Sequence, residues 1–86
     1  MKEHEQVLKA LANQRRLVIL KLLIDHKYLT VGEIARRIKL SFKSTSKHLA
    51  VLHAVGIVDK EQKGLSMMYQ INGSLPKIAK RVLELL

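Results

Sequence analysis

Lys43, Ser44, Ser46 and Lys47 fall within five consecutive positions, and each ends in a hydrogen-bond donor. Two ammonium groups and two hydroxyls on so short a stretch suit contact with a polyanion and with acceptor groups carried on it. More cations stand on either side: Arg36, Arg37 and Lys39 before, Lys60 and Lys63 after. From Ile34 to Val58 there are five Lys/Arg and no acid, so these 25 residues hold +5 of a formal net charge of +9. Phosphate repels carboxylates, which makes the missing acids part of the same signal. A polyanionic partner is implied, most simply nucleic acid. An anionic membrane surface fits less well, because the cations belong to several elements and not to one long amphipathic face.

Other chemistries have little to work with. The chain has no cysteine, which removes disulfides, zinc–thiolate sites, thiol redox sensing and cysteine nucleophiles. Its four histidines are His4, His26, His48 and His53. His48 and His53, five apart on one helix, face different ways. His48 reads as a packed, hydrogen-bonded residue beneath that helix, and His26 as a helix-end cation. His4 could join a site between subunits. The serines lack base and acid partners, the seven acids are scattered, and Gly32, Gly64 and Gly73 form no phosphate-binding loop. No catalytic residues, no metal site and no cofactor are expected, and the chain does not read as an enzyme.

The elements that must position these groups fit in one small domain spanning residues 1–86. A chain of 86 residues buries only about 60% of its unfolded surface, so a dimer would add needed burial. Hydrophobic residues at 48% and a mean hydropathy of +0.03 argue against disorder. The longest apolar run, Leu17 to Ile24, is broken by Lys21 and falls short of the roughly 18 residues of a membrane span. Glu3 and Glu5 at the start are unlike a signal peptide. The expected location is the cytoplasm.

Periodicity predicts a first helix over about Lys2 to Ala12, with Val7, Leu8, Leu11 and Ala12 on one side. Asn13 caps a second, Gln14 to Asp25, apolar nearly all round and so expected at the centre of the core. Tyr28-Leu29-Thr30 suits a brief strand. Thr30 and Glu33 match a capping box for a helix with Val31, Ile34, Ala35 and Ile38 inward, ending near Leu40. Ser41 caps a fourth helix, Phe42 to about Val55, stopped by Gly56. Ile57 to Gln62 and Ser66 to Ile71 flank a glycine turn and predict a β-hairpin. Ser74 reads as the cap of a last helix, with Pro76 in its first turn and Leu75, Ile78, Ala79, Val82, Leu83, Leu85 and Leu86 as apolar positions. The fold class is mainly α with a small β-hairpin, in the order α-α-(β)-α-α-β-β-α.

Two short helices joined by about three residues make a helix-turn-helix, and the hairpin, read as basic, makes it a winged helix. On the fourth helix Thr45, Leu49, Leu52 and Gly56 fall together, near His48, and face the core. Lys43, Lys47, Ala50 and Ala54 lie opposite, with Ser46 at the edge. Small residues let a helix axis approach the major groove, and donors reach base edges and phosphates. Lys43, Ser44, Ser46 and Lys47 are thus candidate base readers of double-stranded DNA, and Arg36, Arg37, Lys39, Lys60 and Lys63 candidate phosphate holders. Phe42 could contact a thymine methyl or belong to the core.

The stretch Leu8-Lys9-Ala10-Leu11-Ala12-Asn13-Gln14-Arg15-Arg16-Leu17-Val18-Ile19-Leu20 resembles the opening signature of the ArsR-type winged-helix repressors. Ser44-Thr45-Ser46-Lys47-His48-Leu49-Ala50-Val51-Leu52 resembles their recognition helix, and Ala54-Val55-Gly56-Ile57-Val58 with Gly64 and Tyr69 their wing. The likeness runs from about Val7 to Ile71. It implies an operator-binding, homodimeric repressor whose first and last helices pair, which points to Val7, Leu8, Leu11, Ile78, Val82, Leu83 and Leu86 as interface residues. Ordinary intrachain core is the other reading of those stripes. Metal-sensing members carry two cysteines at positions matching Thr30 and Gly32, and a second site of His and carboxylates on the last helix; here that helix has Glu84 and no His. The family has an arginine at Arg16, which could anchor a phosphate or cap neighbouring carbonyls. Two functions stay open: a sequence-specific DNA-binding regulator, and an architectural or protein-interaction module without sequence preference. The inducer, if there is one, is unknown.

Overall fold

The computed structural model describes residues Met1–Leu86. Five helices and three strands follow in the order α1 (Lys2–Leu11), α2 (Gln14–His26), β1 (Tyr28–Thr30), α3 (Val31–Ile38), α4 (Phe42–Ala54), β2 (Val58–Lys63), β3 (Ser66–Ile71) and α5 (Lys77–Leu83). No helix is long and apolar enough to cross a membrane.

The helix ends are where sequence dictates structure most directly. Asn13 accepts the Arg16 amide (3.1 Å) and starts α2 two residues after α1 ends. Thr30 makes the full capping box of α3: its hydroxyl accepts the Glu33 amide at 3.2 Å, and its own amide donates to Glu33 Oε1 at 2.8 Å. Hydrogen bonding to the Thr30 amide first and then to the Thr30 side chain, with help from Arg36 and Arg37, holds the Glu33 carboxyl below its ordinary range. Ser41 caps α4 through the Ser44 amide (3.0 Å). At the far end of α4, Gly56 takes φ +78, its amide reaches the His53 carbonyl at 3.1 Å, and the Ile57 amide reaches Leu52 at 3.0 Å. This is a Schellman motif, and its customary apolar contact is present, with Leu52 and Ile57 both fully buried.

The sheet is larger than a hairpin. Its order is β1-β3-β2, and β1 pairs antiparallel with β3 in the register Leu29↔Tyr69. Gly64, at φ +62, and Leu65 form a two-residue turn between β2 and β3, the loop length that matches strand twist. The core gathers Ile19, Leu20 and Leu23 of α2, Ile34 of α3, Leu49 and Leu52 of α4, Ile57, Val58 and Tyr69 of the wing, and Ala79 and Leu83 of α5.

Three expectations need correcting. The second helix is not buried all round: Ile19, Leu20 and Leu23 point inward with Leu17 and Leu22 packed beside them, and Val18 is 44% and Ile24 39% exposed on the other side. Ser74 does not cap the last helix. Its amide donates to Asn72 Oδ1 (2.8 Å) in a local turn, and Pro76 takes the cap position. The last helix also stops at Leu83, leaving Leu85 and Leu86 beyond it and exposed.

Lys39, in the turn between α3 and α4, has φ 58 and ψ 44, a left-handed conformation that penalises a Cβ. Lys39→Gly relieves that strain and is expected to raise the unfolding free energy by up to about 1 kcal/mol, read by urea titration.

Candidate nucleic-acid interface

α4 is the element that faces outward with donors, and its orientation is set by what it buries. Thr45, Leu49 and Leu52 are fully buried. The Thr45 hydroxyl is not left unpaired there, since it donates to the Ser41 carbonyl one turn earlier at 2.9 Å. With that stripe fixed inward, Lys43, Lys47, Ala50 and Ala54 are exposed and Ser46 half-buried at their edge. Ser44 is also half-buried, and its amide is held in the Ser41 cap. None of the four candidate base readers touches an acid.

The candidate phosphate holders are all exposed but do not form one surface. Arg36 and Arg37 are in the last turn of α3, where cations also suit the helix dipole, and Lys39 follows in the turn leading to α4. Lys60 and Lys63 are three apart on β2, so they project from opposite faces of the hairpin. Lys63 stands 3.5 Å from Glu61 in an exposed ion pair. The hairpin, expected to be basic, is not: Asp59 and Glu61 balance Lys60 and Lys63. Among these candidates the net positive charge therefore lies on α3, the turn and α4.

Arg16 resolves toward capping. Its Nε donates to the Ala10 carbonyl and Nη2 to the Lys9 carbonyl (3.3 Å), at the end of α1 where carbonyls lack helical partners. Nη1 lies 3.3 Å from His48 Nδ1. A guanidinium only donates, so Nδ1 accepts and the imidazole is neutral, with its proton on Nε2. Burial first, then the charges of Arg16 and Arg15, depress the His48 pKa. His48 thus braces α4 from below against the α1–α2 junction. The sequence pointed to a packed histidine there, but nothing in its spacing announced the arginine 32 positions earlier.

Of the candidate interface residues, Val7, Leu11 and Leu83 are taken up by the chain's own core, while Leu8 (47% exposed), Leu86 (36%) and the half-buried Ile78 and Val82 remain on the surface. α1 packs against α5. Phe42, at the first position of α4, is not core: it is 63% exposed.

A capped helix pair, with a donor-bearing second helix turned outward and a β-wing behind it, defines a winged helix-turn-helix DNA-binding domain. Residues 13–60 match the model of the bacterial regulatory protein arsR family, and the chain belongs to that family of transcriptional regulators. It is 40% identical over 68 residues to the transcriptional activator HlyU of Vibrio cholerae, a match covering 79% of this chain and 62% of HlyU. The structure of reduced HlyU superposes with a TM-score of 0.83 over 99% of this chain and 85% of that one, at 36% identity. The transcriptional repressor PagR of Bacillus anthracis is 31% identical over 78 residues, 91% of this chain and 76% of PagR. A homodimeric winged helix-turn-helix DNA-binding domain from Mycobacterium bovis superposes at a TM-score of 0.84, with 32% identity over 98% of this chain and 74% of that one.

The burial of His48, with Arg16 and Arg15 beside it, makes stability depend on pH. A histidine whose folded pKa is depressed must gain a proton that the folded state resists. The stability it contributes is therefore complete above its ordinary value of 6.5 and declines as pH falls below it. Melting temperature is expected to drop between pH 7 and pH 5, and His48→Asn, whose Oδ1 can accept from Arg16 but cannot be protonated there, is expected to flatten that drop.

Proposed function

We propose that this chain is a homodimeric, sequence-specific repressor that binds duplex DNA through α4. The division of α4 carries the proposal: one stripe wholly buried, the other side bearing Lys43, Ser46 and Lys47 with no acid among them. Ser44 completes the set of base readers from the half-buried edge. Arg36, Arg37 and Lys39 hold phosphates beside the groove, and Lys60 and Lys63 do so from the two faces of the wing.

The M. bovis domain described as homodimeric supports pairing of two copies, and Leu8, Ile78, Val82 and Leu86 supply apolar surface on the mutually packed first and last helices. Two recognition helices then enter successive major grooves roughly 34 Å apart, on an imperfect palindrome. Repression follows from occupying the promoter against polymerase, which requires only DNA binding. PagR is named a repressor and HlyU an activator, and simple occlusion favours the former.

Thiolate metal sensing has no place in this proposal. The Thr30 hydroxyl is committed to the α3 capping box, and Gly32 offers no side chain. α5 carries Lys77, Lys80 and Arg81, and Glu84 beyond it pairs with Arg81 at 3.8 Å, an unfavourable setting for a cation.

Selection from a random duplex library at near-physiological salt, with competitor DNA, tests the proposal. The expected product is an inverted repeat with half-sites about one helical turn apart, and Lys47→Ala is expected to relax the preference within each half-site. A flat selection, with affinity that only fades as salt rises, would shift the assignment to an architectural module, a reading to which the lysines lend some weight because they lack arginine's fork for guanine. Separately, Leu8→Glu is expected to give a folded monomer by sedimentation with weakened operator binding. Leu11→Glu, at a core position only 4% exposed, should unfold the chain instead.

A further inference from the structure

Phe42 is the one phenyl-bearing side chain on α4, and it is turned to solvent. It takes no part in the hydrophobic core. It occupies the first helical position, immediately after the Ser41 cap, at the end from which recognition helices contact base edges. Ser46 lies one turn further along the same side, and Lys43 is adjacent. Every other large side chain at this end of the helix that reaches solvent carries a charge or a hydroxyl. Those groups find partners on phosphates and on any base pair. A phenyl ring has no donor or acceptor, and the major groove offers it one apolar partner, the C5-methyl group of thymine.

We propose that Phe42 specifies a thymine in each half-site by packing its ring on that methyl group. The inference rests on α4 being the helix that enters the groove, and it adds the identity of one base to that assignment. Lys43 and Ser46 would engage the neighbouring positions. The preference comes from removing a methyl group and part of a ring from water, so it is independent of salt and separable from the phosphate contacts.

The test uses the full chain and its selected operator, with thymines replaced one at a time by deoxyuridine. This removes the methyl group and leaves base pairing intact. At one thymine per half-site the replacement is expected to weaken wild-type binding about fourfold, the worth of one buried methyl group. Phe42→Ala should bind more weakly overall and be indifferent to the replacement at that position. Phe42→Leu, apolar but smaller, should keep part of the effect. The side chain is exposed, so both variants should melt with the wild type.

The proposal is overturned if Phe42→Ala binds as tightly as wild type, or if no thymine loses its methyl dependence in that variant. Should Lys47→Ala still relax sequence preference in that case, the role of Phe42 falls alone and α4 keeps its place in the groove. If the wild-type chain selects no sequence at all, both fall together.

Discussion

Burial of three side chains, Thr45, Leu49 and Leu52, fixes which way α4 faces, and the presented surface follows from that. Two fully buried leucines contribute on the order of 1.5–3 kcal/mol each, so rotating the helix to hide its lysines would expose that area and bury charge. Thr45 makes the orientation more specific. A buried hydroxyl is costly unless paired, and here its partner is the Ser41 carbonyl at 2.9 Å, available only while α4 keeps its first turn. The residue that caps α4 with its side chain thus also satisfies, with its backbone, the one polar group in the buried stripe. Cap, stripe and outward face are one arrangement.

Arg16 extends that arrangement to the other end of the domain. Its guanidinium joins the last carbonyls of α1 to His48 beneath α4. α1 packs against α5, so in the proposed dimer this one side chain links the helices that pair to the helix that enters the groove. Protonating His48 converts its acceptor into a donor facing an arginine. The contact that steadies α4 is therefore also one that acid disrupts.

Local chemistry is what could be read from the sequence. Asn13, Thr30 with Glu33, Ser41 and Gly56 mark helix ends because each acts on backbone groups a few residues away, and all four do so here. The two faces of α4 were legible for the same reason, since helical periodicity is a local property. The less legible features depend on partners distant in the chain or on exposure. The Arg16–His48 contact spans 32 positions. Pairing of β1 with β3 joins residues about 40 positions apart. Val18 and Ile24 look like core by composition, yet the packed side of α2 is filled by Ile19, Leu20 and Leu23. Ser74 was misread because the Asn72 side chain draws the Ser74 amide into a local turn and Pro76 takes the cap position. The wing was misread by counting its lysines without Asp59 and Glu61.

Charge and discrimination divide between different parts of the surface. A net charge of +9 attracts every duplex equally, and in the proposed complex the groups on α3 and the turn add to that common affinity. In the proposed complex, discrimination falls to Lys43, Ser44, Ser46, Lys47 and the ring of Phe42. Lysine is a point charge without a bidentate fork, so each such contact separates right from wrong bases weakly, against the million or more competing sites of a genome. One copy of α4 is too little for that. Two copies held by a twofold axis multiply the preference without new residues, because each mismatch costs once and the half-sites are roughly additive. In the proposed dimer the apolar surface at Leu8 and Leu86, with the half-buried Ile78 and Val82, is then part of recognition as well as of stability: with so few readers on one α4, the second copy supplies the rest of the preference.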